Sequence, residues 1–163
     1  MNTTDHASLP APQTWEVQPE AAAVRPARLL VLEVARFWNL PFSDGALRDV
    51  ELCASELITN AALYTKLPFK VTVGWTGERL RVEVEDTSLV PPGGDGSIGS
   101  GNGGRGLALV GALAHSCGWC PQGAGKVVWF ETAPDQALDP DRRLAVLVEV
   151  AHSRLTQPLA FSA

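Results

Sequence analysis

Three groups of residues in this chain are of types that can do chemistry. Glu56 and Asn60 are four residues apart, which stacks both side chains on one face of a helix. Glu56 lies next to the apolar stripe residue Leu57, so their shared face flanks the core and both could border a cleft. A carboxylate at a cleft edge can serve as a general base. An amide oxygen is a hard ligand of the kind Mg2+ accepts beside phosphates and waters. The plain counterpart is an exposed helix pair with no task.

Asp86 is the second. Strand parity along Leu80, Val82 and Val84 puts residue 86 on the core side. An inward carboxylate is costly unless hydrogen-bonded or met by a polar ligand. Its oxygens could accept from an exocyclic amino group such as that of adenine. Equally, the strand could end at Glu85 and Asp86 could open a turn.

The third group is the run GGDGSIGSGNGGRG at residues 93–106, which holds eight of the fifteen glycines. It leads into a helical pattern from about Leu107. Unsatisfied N–H groups at a helix start favour phosphate oxygens, and Arg105 adds positive charge. Gly101, Gly103 and Gly106 match G-x-G-x-x-G, but the preceding strand does not run directly into the loop as a dinucleotide fold requires. No Walker loop occurs, and composition alone also reads as a glycine linker. His115, Cys117 and Cys120 fall short of a zinc site, because one C-x-x-C lacks a second ligand pair and strand parity points the two thiols oppositely.

The elements that must position these groups are readable from periodicity. Residues 1–23, with Pro10, Pro12 and Pro19, read as a flexible arm locally docked by Trp15. A helix is predicted from Val24 to Trp38, stopped by Asn39-Leu40-Pro41. Ser43 is a good N-cap for a second helix running to about Tyr64, with Asp44 at its positive end. Leu47, Val50, Ala54, Leu57 and Ala61 form its buried stripe. Strands follow at Phe69 to Trp75 and Leu80 to Glu85, then the glycine run, a helix to about His115, and strands at Ser116 to Cys120 and Lys126 to Glu131. This order predicts an α/β (α+β) two-layer sandwich, helices packed on one face of a mainly antiparallel mixed sheet. A last helix is predicted over about 139–155, greasy on two sides and compatible with a homodimer.

Composition sets the bounds. The 163 residues suit one domain, and 45% hydrophobic residues suffice to close a core. A net charge of −5 argues against a nucleic-acid platform. No apolar run approaches a membrane span, the N-terminus carries no signal-peptide pattern, and three cysteines make no disulfide framework. The expectation is a cytoplasmic protein of a reducing compartment.

Taken in order, Glu56-Leu-Ile-Thr-Asn60-Ala61, Asp86-Thr-Ser88 and Gly104-Arg-Gly-Leu107 resemble the N, G1 and G2 boxes of the GHKL (Bergerat-fold) ATPases. SELITNA at 55–61, GGRGLALV at 103–110 and GKVVWFE at 125–131 look most like the anti-sigma-factor serine kinase branch. The resemblance covers roughly residues 24–133, with the arm before it and a C-terminal extension, 134–163, after it.

It implies ATP held between helices and sheet under a glycine lid. Glu56 would be the catalytic base and Asn60 would hold Mg2+. Asp86 and Ser88 would lie at the adenine, and Gly104, Arg105, Gly106 and Leu107 would close on the phosphates. The γ-phosphoryl would pass to a serine of an anti-anti-sigma (STAS-type) partner, and the kinase would sequester a sigma factor. Ser88 and Val90 replace G1 glycines, Tyr64 stands where the branch often has His, and Lys126 stands where Thr is common. A catalytically silent, partner-binding regulator is the alternative these departures raise.

Overall fold

The computed structural model describes residues 8–92 and 104–134. Among them the chain forms β1 (Gln13–Val17), α1 (Ala21–Phe37), α2 (Asp44–Tyr64), β2 (Phe69–Trp75), β3 (Leu80–Asp86), α3 (Gly104–Leu113), β4 (Ser116–Gln122) and β5 (Gly125–Thr132). The sheet order is β1-β2-β3-β5-β4, every pairing is antiparallel, and the helices cover one face, as expected. The predicted helix over 139–155 and residues 93–103 lie outside the described residues.

Alternation builds the layer boundary. Val71, Val73, Leu80, Val82, Val84, Val128 and Phe130 point inward and are buried. Against them lie Leu47, Val50, Ala54, Leu57 and Ala61 of α2, all buried, which is the stripe the sequence predicts. Ser43 caps α2 by accepting from Ala46 N–H at 3.1 Å. Arg28 ties α1 to α2 through Glu51 at 3.4 Å and Ser55 Oγ at 3.3 Å.

The expected arm over residues 1–23 requires correction in its second half. Residues 13–17 form an edge strand on β2, with Val17 buried and Trp15 packed against the core. Its inward set is too short to show a period, and its partner lies more than fifty residues away, so register with β2 defines it. Helix α1 also starts at Ala21, before the first periodic residue, which places Pro26 inside the helix. At its other end Asn39 adopts a φ of 52° and donates to Arg36 C=O at 2.9 Å, a left-handed stop of the kind Asn tolerates.

The outer sheet face is polar and cross-braced. Arg81 donates to Glu83 at 2.6 Å and to Glu131 at 2.9 Å, while its guanidinium lies 4.1 Å from the ring centroid of Trp129. Hydrogen bonds from Arg81, helped by Ser116 and Arg79, hold the Glu131 carboxyl below its ordinary range against a smaller opposing effect of burial.

Candidate functional site

Asp86 is the last residue of β3, and parity leaves it on the inward face, 5% exposed. It therefore belongs to the strand and, by accepting from Ser88 N–H two residues on, also opens a turn at the strand's end. Directly opposite on β5 stands Lys126. Directly paired residues of an antiparallel ladder share a face, so the inward row Val82–Phe130, Val84–Val128 ends in an ion pair. Lys126 Nζ donates to Asp86 Oδ1 at 2.9 Å and to Ser88 C=O at 3.4 Å. Ser88 N–H donates to the same Oδ1 at 2.8 Å, and Ser88 Oγ accepts from Val90 N–H at 3.2 Å. The acceptor that sequence parity offers to a base is thus already partnered from within. Lys126 stands where the resembled branch commonly has Thr, but its contact depends on strand register, which no local pattern carries.

Two close approaches fix this corner. A Cβ on Gly125 would lie 1.8 Å from Asp86 O and 2.7 Å from Thr87 Cα, so only glycine lets β5 begin against the end of β3. Thr65, the C-cap of α2, shares a 3.0 Å hydroxyl hydrogen bond with Thr87. That contact sets the end of the Glu56–Asn60 helix beside the Asp86–Ser88 corner, and sequence reading missed it.

Glu56 and Asn60 are half-buried on α2, which packs on β3, β5 and α3. The Glu56 carboxylate lies against the first turn of α3: a Cβ on Gly106 would come within 2.7 Å of Glu56 Oε2. Gly104, Arg105 and Gly106 belong to α3, which is described from residue 104 and so extends ahead of the expected Leu107, and the first described turn of this helix falls beside Glu56. Leu107 packs against the core. The structure therefore joins Glu56 to the Gly104–Leu107 turn, and Asp86 to Ser88 and Lys126, with α2 spanning the two groups.

The donor set suits a Mg2+-nucleotide in kind: the glycine-rich first described turn of α3 for phosphates, the Glu56 carboxylate against it, the Asn60 amide one turn further along α2, and the Asp86–Lys126 pair near the end of that helix. Among the described residues no cluster of His, Cys, Asp and Glu forms a metal site, and no helix is long and apolar enough to cross a membrane.

A family model of the histidine kinase-like ATPase domain matches residues 17–132. No curated protein matches the sequence. Among solved structures, the RsbU and RsbW domains of Rv1364c from Mycobacterium tuberculosis resemble it with a TM-score of 0.56 at 17% identity, over 76% of this chain and 32% of that one. At that identity the likeness speaks for the fold, and the chain spans about a third of the other's length.

Proposed function

We propose that this chain, which belongs to the histidine kinase-like ATPase family, binds ATP with Mg2+ and acts as a serine kinase of the anti-sigma-factor type. The observation that supports this reading best is the contact of Glu56 with the first described turn of α3, a proton acceptor against the glycine-rich turn that this reading assigns to the phosphates. Asn60, one turn further along α2, holds the metal ion. Arg105 and the N–H groups of Gly104 to Leu107 meet the phosphates, and Asp86 with Ser88 lies at the base. Bound ATP supplies the γ-phosphoryl group. Glu56 takes the proton of a serine hydroxyl on an anti-anti-sigma partner as its oxygen bonds to phosphorus and ADP leaves. Partner and sigma factor compete for the protein, in a cytoplasmic setting.

A second reading is favoured by the Asp86–Lys126 pair: a partner-binding regulator whose base pocket is filled from within, with weak nucleotide binding or none. Calorimetric titration with ATP separates them. Mg2+-dependent binding that falls at least tenfold, about 1.4 kcal/mol, in Asn60→Ala supports the kinase. Loss of phosphotransfer in Glu56→Ala, with partner binding kept, then assigns the base. Absence of binding at millimolar ATP overturns the kinase reading in favour of the second.

A further inference from the structure

One hydroxyl group joins the two halves of the site. Helix α2, which carries Glu56 and Asn60, stops at Thr65, where the backbone turns extended at φ −114° and ψ 152°. Thr65 follows Asn60 by about 7.5 Å along the helix direction and is only 7% exposed. Its hydroxyl accepts from Leu67 N–H at 3.3 Å, which ties the chain after the helix back to the helix end. It also lies 3.3 Å from Leu67 C=O and shares a 3.0 Å hydrogen bond with Thr87 Oγ1. The one donor and two acceptor positions of a hydroxyl are thereby all taken. Thr87 stands between Asp86 and Ser88, and its backbone is wedged from the β5 side, where a Cβ on Gly125 would come within 2.7 Å of Thr87 Cα. The corner thus takes its place across the sheet from Gly125 and its spacing from the helix layer from Thr65.

We propose that Thr65 is a positioning residue for the nucleotide: through Thr87 it holds the Asp86–Ser88 corner at a fixed separation from Asn60 and Glu56. This inference rests on the nucleotide reading above, in which the corner lies at the base while Asn60 and the first described turn of α3 meet the metal ion and the phosphates. A ligand that spans both ends binds best when their separation is set beforehand, because ordering them on binding costs affinity. A ligand that reaches only the phosphate end gains nothing from the link.

The test is a double-variant cycle on the full chain, read by calorimetry with ATP and Mg2+. Thr65→Val and Thr87→Val are each expected to weaken ATP at least fivefold, and the double variant is expected to lie within twofold of the weaker single. Thr65→Ser, which keeps the hydroxyl, should bind ATP within twofold of the unaltered chain. Inorganic tripolyphosphate, which carries phosphates without a base, should be weakened less than twofold by either valine. If the unaltered chain does not retain tripolyphosphate, the ATP cycle decides alone. If Thr65→Val does not fold, Thr87→Val removes the same bond at an exposed position and decides in its place. Unchanged ATP binding in a folded valine variant, losses that multiply in the double variant, or equal weakening of ATP and tripolyphosphate each overturn the positioning role and leave the nucleotide reading standing. An unaltered chain that does not bind ATP overturns both.

Discussion

Removing Lys126 alone should be among the most damaging single changes in the sheet, and removing its partner as well should restore much of the loss. In Lys126→Met, Asp86 keeps the Ser88 N–H at 2.8 Å but loses its counter-ion while its side chain is only 3% exposed. Breaking a buried pair from one side costs about 3–5 kcal/mol, because a charge is left uncompensated. Asp86→Asn strands the Lys126 ammonium and should cost a similar amount. The double variant removes both charges, and Asn at 86 can still accept from Ser88 N–H, so its cost should stay near ~2 kcal/mol instead of the sum of the singles. For a domain of this size, each kcal/mol shifts the melting midpoint by roughly 3–6 °C, so each single variant should melt about 10–25 °C lower. Urea unfolding followed by tryptophan fluorescence gives all four corners of the cycle. Single losses below ~1 kcal/mol, or a double variant that simply adds them, would refute the reasoning that the pair is a buried, mutually dependent unit.

Other outcomes follow from close contacts and charge. Gly125→Ala should cost more than ~3 kcal/mol in the same urea assay, since the new methyl meets the Asp86 backbone at 1.8 Å and neither strand can give way. Gly106→Ala meets first the carboxylate end of Glu56, at 2.7 Å. It should leave stability within ~1 kcal/mol while displacing the carboxylate, which the proposed kinase reading expects to appear as lost phosphotransfer. Glu131 is held below its ordinary pKa by Arg81, so its contribution is present at neutral pH and lost as pH falls through its folded value. Glu131→Gln should therefore show a flatter stability profile below neutral pH. Burial pushes the Cys53 thiol far up, whereas Cys117 and Cys120 are exposed. A thiol reagent should modify two cysteines in the native protein and the third only on unfolding.

The parts of this fold that sequence makes legible are those where one residue's neighbours along the chain carry the information. The α2 stripe, the Ser43 cap and the β3 alternation are of that kind, and so is the inward direction of Asp86, which parity gives without any partner. What is hidden depends on register between distant segments. Strand β1 exists because it pairs with β2, and its own inward residues are too few to form a pattern. Lys126 follows a glycine turn and precedes Val127 and Val128, one facing each way, so no alternation marks which side it takes. Only its place opposite Asp86 in the β3–β5 ladder does. The Thr65–Thr87 contact is hidden for the same reason. The family resemblance supplied roles for Glu56, Asn60 and Asp86, and it marked position 126 as unusual, but it did not say that this lysine would turn toward Asp86.

The strand order has a consequence for how the chain is made. β5, the last strand described, lies between β3 and β4, so β3 waits with one bare edge until the segment around Lys126, 40 residues later, has been synthesised. At roughly 5–20 residues per second that wait is several seconds, during which the half-sheet β1-β2-β3 carries an unpaired ladder and an unpaired Asp86. The carboxylate that discourages another strand from adding at this edge is the same one that Lys126 neutralises on arrival.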